Sequence, residues 1–234
     1  MEGGSQDGGR LLGYNFRFDA VFERFDQLLE GAWLTIQLSG SAMLIGLLLS
    51  ILCALLKTSG PRPVTWIVNA YVELIRNTPF LVQIFFIFFG LPALGLRLTP
   101  NSAALLALII NFGAYGTEII RAGIEAIPRG QIEAGVALGL RRLQIFRYII
   151  LKPALRAIYP ALTSQFIYLM LTSSVVSAIS ADDLTAIGNN IQSQTFAAFE
   201  VYLVITAIYL LLSIGFSSLF KLVERAAFNY PLSR

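Results

Sequence analysis

Residues 31–56, ending in LIGLLLSILCALL, contain no charged side chain at all. A helix needs roughly 20 mainly apolar residues to cross a hydrocarbon core about 30 Å thick, and this run exceeds that length. It therefore sets the solvent in which the chain folds. Four more runs of similar character follow, at about 64–90, 101–120, 158–179 and 201–222. The composition agrees: 56% of residues are hydrophobic, against ~45–50% in soluble domains, and 13% are charged, with a mean hydropathy of +0.70. The expected fold is all-α and polytopic, with five transmembrane helices. Residues 1–30 read as an external or interfacial segment, 31–222 as the transmembrane domain, and 223–234 as a tail.

The first thirty residues begin MEGGSQDGG and continue with mixed charge. They lack the basic start, apolar core and small-residue cleavage site of a signal peptide, so targeting falls to the first span. Within them, Phe18, Val21, Phe22, Phe25, Leu28 and Leu29 recur at helical spacing among Asp19, Glu23, Arg24 and Asp26. That pattern suits a helix lying in the membrane interface.

Cytoplasmic loops are enriched in Lys and Arg, which orients the spans. Lys57 and Arg62, then Arg121, Arg129, Arg141, Arg142, Arg147, Lys152 and Arg156, then Lys221, Arg225 and Arg234 fall on one side. Only Arg10, Arg17, Arg24 and Arg97 fall on the other. The N-terminus is thus expected outside and the C-terminus inside. The pI of about 9.1 reflects this topology, and no basic face with interleaved aromatics suggests nucleic acid.

Histidine is absent and Cys53 is the single cysteine. Ser-His and Cys-His nucleophile pairs, histidine metal sites and intrachain disulfides are thereby excluded. No catalytic or metal-binding residue is expected.

Charged residues inside spans are costly and mark function, which singles out Glu73, Arg76 and Glu118. Glu73 and Arg76 share a helix face, where they either neutralise each other or receive the ammonium and carboxylate of an amino acid. Glu118, near the inner end of its span, suits an interhelical or interfacial contact, with a place on the substrate path as the alternative. Asn77, Gln165, Ser173 and Ser174 either line a path or hydrogen-bond between helices. Thr78 and Pro79 mark a kink. The stretch ADDLTAIGNNIQSQTFAAFE, at 181–200, reads as an external loop, acidic at Asp182, Asp183 and Glu200, that is either solvated or a contact surface for an external protein.

The segment 121–156, on the cytoplasmic side by the charge count, is not a flexible linker. Ile132, Val136, Leu143, Phe146 and Ile149 give short apolar faces, Gly139 offers a bend, and Pro128 and Pro153 mark the approximate limits of two short helices. Such helices either pack on the bundle or press into a groove on another protein.

Within this segment, EAGVALGLRRLQIFRYIIL (residues 133–151) resembles the EAA loop of permease subunits of ATP-binding cassette importers, with Glu133, Ala134 and Gly139 at the family spacing. ELIRNTPFLVQIFFIFFGLP (residues 73–92) is similar to the second-span signature of the polar amino acid permease family. The likeness runs from about Phe18 to the C-terminus. It implies a type I importer permease fold in a bacterial cytoplasmic (inner) membrane, with three kinds of partner: an external amino acid binding protein, a cytoplasmic ATPase, and a second permease, identical or similar. It also implies that Glu133 is the polar anchor of ATPase coupling, Ala134 permits close approach and Gly139 supplies the bend, with Leu140 and Arg141 beside them. No G-x-x-x-x-G-K-[ST] loop occurs, so ATP and Mg are expected on the partner ATPase and no cofactor on this chain.

Two departures stand out. Lys152 intervenes before Pro153, and Leu171 and Thr172 occupy positions where the family carries Lys-Asp. A self-sufficient secondary transporter is disfavoured because five spans show no inverted repeat. An intramembrane enzyme is disfavoured by the missing histidine and paired aspartates.

Overall fold

The computed structural model describes residues 16–228, and every regular element among them is helical. A short α1 (Asp19–Phe22) breaks at Glu23 and Arg24, and α2 (Phe25–Ser59) then runs for 35 residues. At 1.5 Å per residue that is about 50 Å, well beyond the hydrocarbon thickness. The segment read as interfacial is therefore split. Its second half, from Phe25, forms the opening turns of the first span.

The second span is broken. Helix α3 (Arg62–Arg76) meets the segment Phe80–Leu94 at 111°, and that segment begins as α4 (Phe80–Phe85) and continues through a wide π turn (Phe86–Gly90) and a 3-10 turn (Leu91–Leu94). Pro79 has no amide hydrogen to continue α3, so the break falls where Thr78 and Pro79 place it. Gln83 staples it. Its Nε2 donates to the carbonyls of Ile75 at 2.7 Å and Thr78 at 3.0 Å, and its Oε1 accepts from Asn111 Nδ2 at 3.2 Å.

Helix α5 (Pro100–Glu125) is capped by the Thr99 hydroxyl, which accepts from the Ser102 amide at 3.2 Å. Two short helices follow, α6 (Arg129–Ala137) and α7 (Arg142–Ile145), then a second π turn (Phe146–Ile150), α8 (Leu151–Thr172) and a 3-10 stretch (Ser173–Ile179). The chain closes with α9 (Leu184–Thr195) and α10 (Ala198–Ala227). Four elements are long and apolar enough to cross alone: α2, α5, the composite Arg142–Ile179 and α10. The bent pair of α3 and the segment Phe80–Leu94 is the fifth when taken as one broken span.

Pro153 does not end a loop helix, contrary to the sequence reading. The composite element runs 38 residues through it. The π turn explains this, because its i→i+5 bond from the Leu151 amide to the Phe146 carbonyl widens the helix just before the proline ring must fit. A π turn also precedes Pro92, which lies in the 3-10 turn that follows it.

The core lies between α2 and α5, where Ala42, Ala103, Ala104, Ala107, Leu108 and Phe112 pack with Ile84 and Ile87 of the broken span. Close approach is possible because Gly116 faces Ser50, and a Cβ there would drive into its hydroxyl. Ser50 in turn donates to the Gly113 carbonyl at 3.1 Å.

The stretch 181–200 corrects the expectation of a solvated loop. It is largely the helix α9, whose Leu184 and Ile191 pack with Val21, Leu28, Val201 and Ile205. Asp183 and Glu200 are fully buried, and Asp182 alone of the three acids is exposed.

Candidate functional site

Helix α5 carries Tyr115, Glu118, Arg121 and Glu125 at three- and four-residue spacing, so all four share one face. Onto that face α2 brings Lys57 from its last turn, and α3 brings Arg76 just before the break. Glu118 is the hub. Lys57 Nζ lies 2.6 Å from its Oε1; Arg121 donates to its Oε2 through Nη2 at 2.9 Å and Nε at 3.2 Å. Arg121 also pairs with Glu125. Arg76 stands further off, 3.9 Å from Glu118 Oε2, with its guanidinium over the Tyr115 ring at 5.4 Å. An unpaired carboxylate within a span would be expensive, and this cation ring neutralises it.

Glu73 does not pair with Arg76. It is exposed and lines a cavity of about 340 Å³ together with Lys57, Val72, Arg76, Asn77, Tyr115 and Glu118. Asn77 closes α3, its Nδ2 donating to the Glu73 carbonyl at 2.8 Å. A second cavity of about 420 Å³ shares Arg76, Tyr115 and Glu118 and is completed by Gln165 and a wall of small and apolar residues from α5 and α8. Five candidates from the sequence, Glu73, Arg76, Asn77, Glu118 and Gln165, thus surround two adjoining cavities. Ser173 and Ser174 do not join them, because each hydroxyl donates within its own helix, to Met170 and Leu171 carbonyls at 2.7 and 2.8 Å.

The sequence reading missed Lys57, Tyr115 and Arg121 as members of this site. Lys57 and Arg121 were read only as topological charges at span ends. Tyr115 offered a signal, since it lies one helical turn before Glu118. The Gln83 and Asn111 pair, which sets the break, was also unread.

The second region of interest is the connection between α5 and α8. Pro128 opens α6, and Gly139, at φ +74°, closes it in a Schellman turn: its amide donates to the Val136 carbonyl at 2.9 Å and the Leu140 amide to Gly135 at 3.1 Å. The left-handed backbone there favours glycine. The Arg141 amide then donates to Gln144 Oε1 at 2.8 Å, starting α7. Gly135 is buried against Ile145 and Ile149, so α6 folds back on the base of the fourth span. Its other side is bare. Glu133, Ala134 and Arg141 are exposed, as are the large apolar side chains of Val136, Leu138 and Leu143.

Residues 46–229 match the family described as "Binding-protein-dependent transport system inner membrane component". The chain belongs to this permease family. Among its relatives, the glutamine transport system permease protein GlnP of Escherichia coli (strain K12) is 34% identical over 90% of this chain and 97% of its own. The arginine transport system permease protein ArtQ of Bacillus subtilis (strain 168) is 35% identical with the same coverage. The L-cystine permease TcyB of that organism is 34% identical over 94% of each chain. A crystal structure of an amino acid ABC transporter with histidines aligns at a TM-score of 0.86 and 38% identity, covering 91% of this chain and 100% of the other. The inward-facing MetNI methionine ABC transporter shares the fold, at a TM-score of 0.75 and 22% identity. This permease is a multi-pass inner-membrane transport subunit with the type I importer fold and is not an enzyme.

Proposed function

We propose that the chain forms the translocation path of an ATP-driven amino acid importer and is moved by a separate cytoplasmic ATPase that docks on α6 and its Gly139 turn. The observation that carries the coupling role is the bare side of this unit: exposed Val136, Leu138 and Leu143 beside Glu133 and Arg141, on a short helix braced against the fourth span. A short amphipathic helix of this kind suits a groove on another protein. Bracing through Gly135 would transmit movement of that groove to α8.

In this reading the N-terminus lies outside and the C-terminus inside, following the Lys and Arg distribution. An external binding protein delivers the amino acid, a second permease, identical or similar, completes the path, and ATP and Mg are held by the ATPase. Relatives that carry glutamine, arginine and cystine in their names support an amino acid cargo.

The test is Glu133→Ala. It is expected to weaken ATPase docking by about 1–2 kcal/mol, the cost of truncating a contributing interface residue just below the hot-spot range, and to lower ATP-driven uptake while leaving membrane insertion intact. Retention of the ATPase on the tagged permease and uptake in proteoliposomes are the readouts. Unchanged coupled uptake overturns the docking role.

A further inference from the structure

We infer that an apolar groove between α2, α5 and α8 is a binding site for one anionic phospholipid of the inner leaflet, with an acyl chain along the groove and the phosphate on Arg142 and Arg147. The inference rests on the orientation and coupling readings above.

The groove encloses about 430 Å³, and every side chain that lines it is apolar. Leu47, Ile51 and Leu55, one turn apart, form the α2 wall, and Ile120 and Ile124 form that of α5. The third wall is a stripe along the fourth span through Phe146, Ile150, Ala154, Ile158 and Leu162. All three walls belong to membrane-spanning elements, and the groove is open along its side, with Ile51, Leu55, Phe146 and Leu155 between 37% and 45% exposed. Ile120 and Ile124 are two residues out of step with Glu118, Ala122 and Ala126 of the larger polar cavity. They therefore occupy the opposite face of α5.

Shape selects the occupant. Phe146 to Leu162 covers about 24 Å at 1.5 Å per residue, more than the roughly 15 Å of one leaflet's hydrocarbon. A helix of that length, 10–12 Å across, would fill roughly 2,000 Å³ or more, several times the groove. An unbranched hydrocarbon chain enters where a helix cannot. Filling matters, because apolar walls facing empty space forfeit their dispersion contacts.

Charge supplies the anchor. The Phe146 amide donates to the Arg142 carbonyl, so Arg142 lies one α turn before the first lining residue of the stripe and on the same helix face. Arg147 follows Phe146 directly. Both arginines are exposed, and neither has an acid within ion-pair distance among the described residues. The Arg147 guanidinium stands 5.9 Å over the Tyr148 ring, a contact that leaves its N–H donors unused. At the cytoplasmic end of the span, the two cations meet the leaflet surface, where basic side chains beside transmembrane helices attract anionic headgroups. Guanidinium groups bind phosphate through charge-assisted hydrogen bonds.

The site bears on coupling. Ile145 and Ile149 press on Gly135 of α6, while Phe146 and Ile150 of the same turn face the groove. A filled groove backs the turn against which α6 is braced.

The experiment uses the purified permease–ATPase complex. Native mass spectrometry follows its titration with dioleoyl phosphatidylglycerol or dioleoyl phosphatidylcholine, which share their chains and differ in headgroup charge. The wild type is expected to hold one phosphatidylglycerol about thirtyfold more tightly than phosphatidylcholine, the effect of two arginines at the surface. Arg142→Gln combined with Arg147→Gln is expected to abolish that preference. Ile51→Trp, which fills the groove from an open position, is expected to lower the binding of both lipids by about tenfold or more, as overpacking excludes the chain. The two arginines are exposed, so their replacement tests the site even where Ile51→Trp does not fold. A photoreactive benzophenone side chain at Leu55 is expected to capture the lipid. Equal affinity for the two lipids, an unchanged preference in the arginine variant, unchanged binding in folded Ile51→Trp, or capture of a second permease from Leu55 each overturns the site. ATP-driven uptake with the external binding protein is measured in phosphatidylcholine vesicles with and without phosphatidylglycerol. Uptake is expected to be several-fold faster with the anionic lipid, and the arginine variant, corrected for the ATPase it retains, to lose that gain. Equal uptake in the two membranes overturns the lipid proposal alone; uptake absent from both defeats the importer reading.

Discussion

Glu118 and Asp183 are carboxylates withdrawn from water at two places in the permease, and they are held by opposite means. Glu118 is ringed by cations from three helices, Lys57, Arg76 and Arg121. Asp183 is fully buried among neutral donors: its Oδ1 accepts from the Ala186 amide at 2.7 Å as the cap of α9, and its Oδ2 from the Tyr209 hydroxyl at 3.2 Å. Thr35 completes the junction by accepting from the Leu184 amide at 3.0 Å. The first arrangement leaves cavities and a half-free arginine beside it. The second leaves nothing open and ties α2, α9 and α10 together. A charge compensated by long cationic side chains that border open cavities can be exchanged for a ligand, whereas a charge compensated by caps and hydroxyls serves the scaffold.

The largest effect is expected where compensation is ionic. Glu118→Gln would leave Lys57 without its ion-pair partner and Arg121 with Glu125 alone, and because these side chains are partly exposed the cost is expected at the low end of the buried-pair range, about 3 kcal/mol. Thermal unfolding in nanodiscs should show that loss together with collapse of uptake. Adding Lys57→Met should restore part of the stability, since neighbouring sites that share a partner are not additive. If Glu118→Gln unfolds like the wild type, the ionic account of this hub is wrong.

Asp183 gives the next largest effect and one with a pH signature. Burial, opposed by its hydrogen bonds, pushes its carboxyl from the usual 3.8 up to about 6. The folded state therefore keeps the proton to higher pH than the unfolded chain does. Its contribution is complete below about pH 4, declines as pH rises through about 6 and is level above that, a total of about 3 kcal/mol. Asp183→Asn keeps a good helix cap and cannot ionise. Protection of α9 from hydrogen exchange, corrected for the intrinsic pH dependence of exchange, should weaken between pH 4 and 7 in the wild type and stay flat in the variant. An equal slope in both would remove Asp183 from the account.

The contrast also explains what could be read from the sequence. Uninterrupted apolar length fixes the spans, and Pro79 and Gly139 mark real backbone events, because each restricts φ or the hydrogen-bond ladder locally. Glu73 and Arg76 lie at pairing distance along one helix, but pairing depends on what a distant helix offers, and α5 draws Arg76 toward Glu118. Helix α9 was hidden because its buried positions, Leu184, Gly188, Ile191 and Thr195, sit at helical spacing among aspartates, asparagines and glutamines that read as loop. Pro153 misled because the compensating π turn lies before it, and a π turn has no signal in a single sequence.

The smallest effect sharpens the comparison from the scaffold side. Tyr209 donates to Asp183 Oδ2 and shares a 3.1 Å contact with the Thr185 hydroxyl. Its hydrogen bond favours the charged carboxylate, so Tyr209→Phe should raise the Asp183 pKa above about 6 and move the decline in α9 protection to higher pH. The stability change at neutral pH should be about 1 kcal/mol, the ordinary net worth of one hydrogen bond. Uptake should change little, because Tyr209 lines neither of the inner cavities. A large loss of uptake in this variant, with α9 still protected, would mean that the junction of α2, α9 and α10 moves during transport, and the division between a ligand-exchanging carboxylate and a purely structural one would fail.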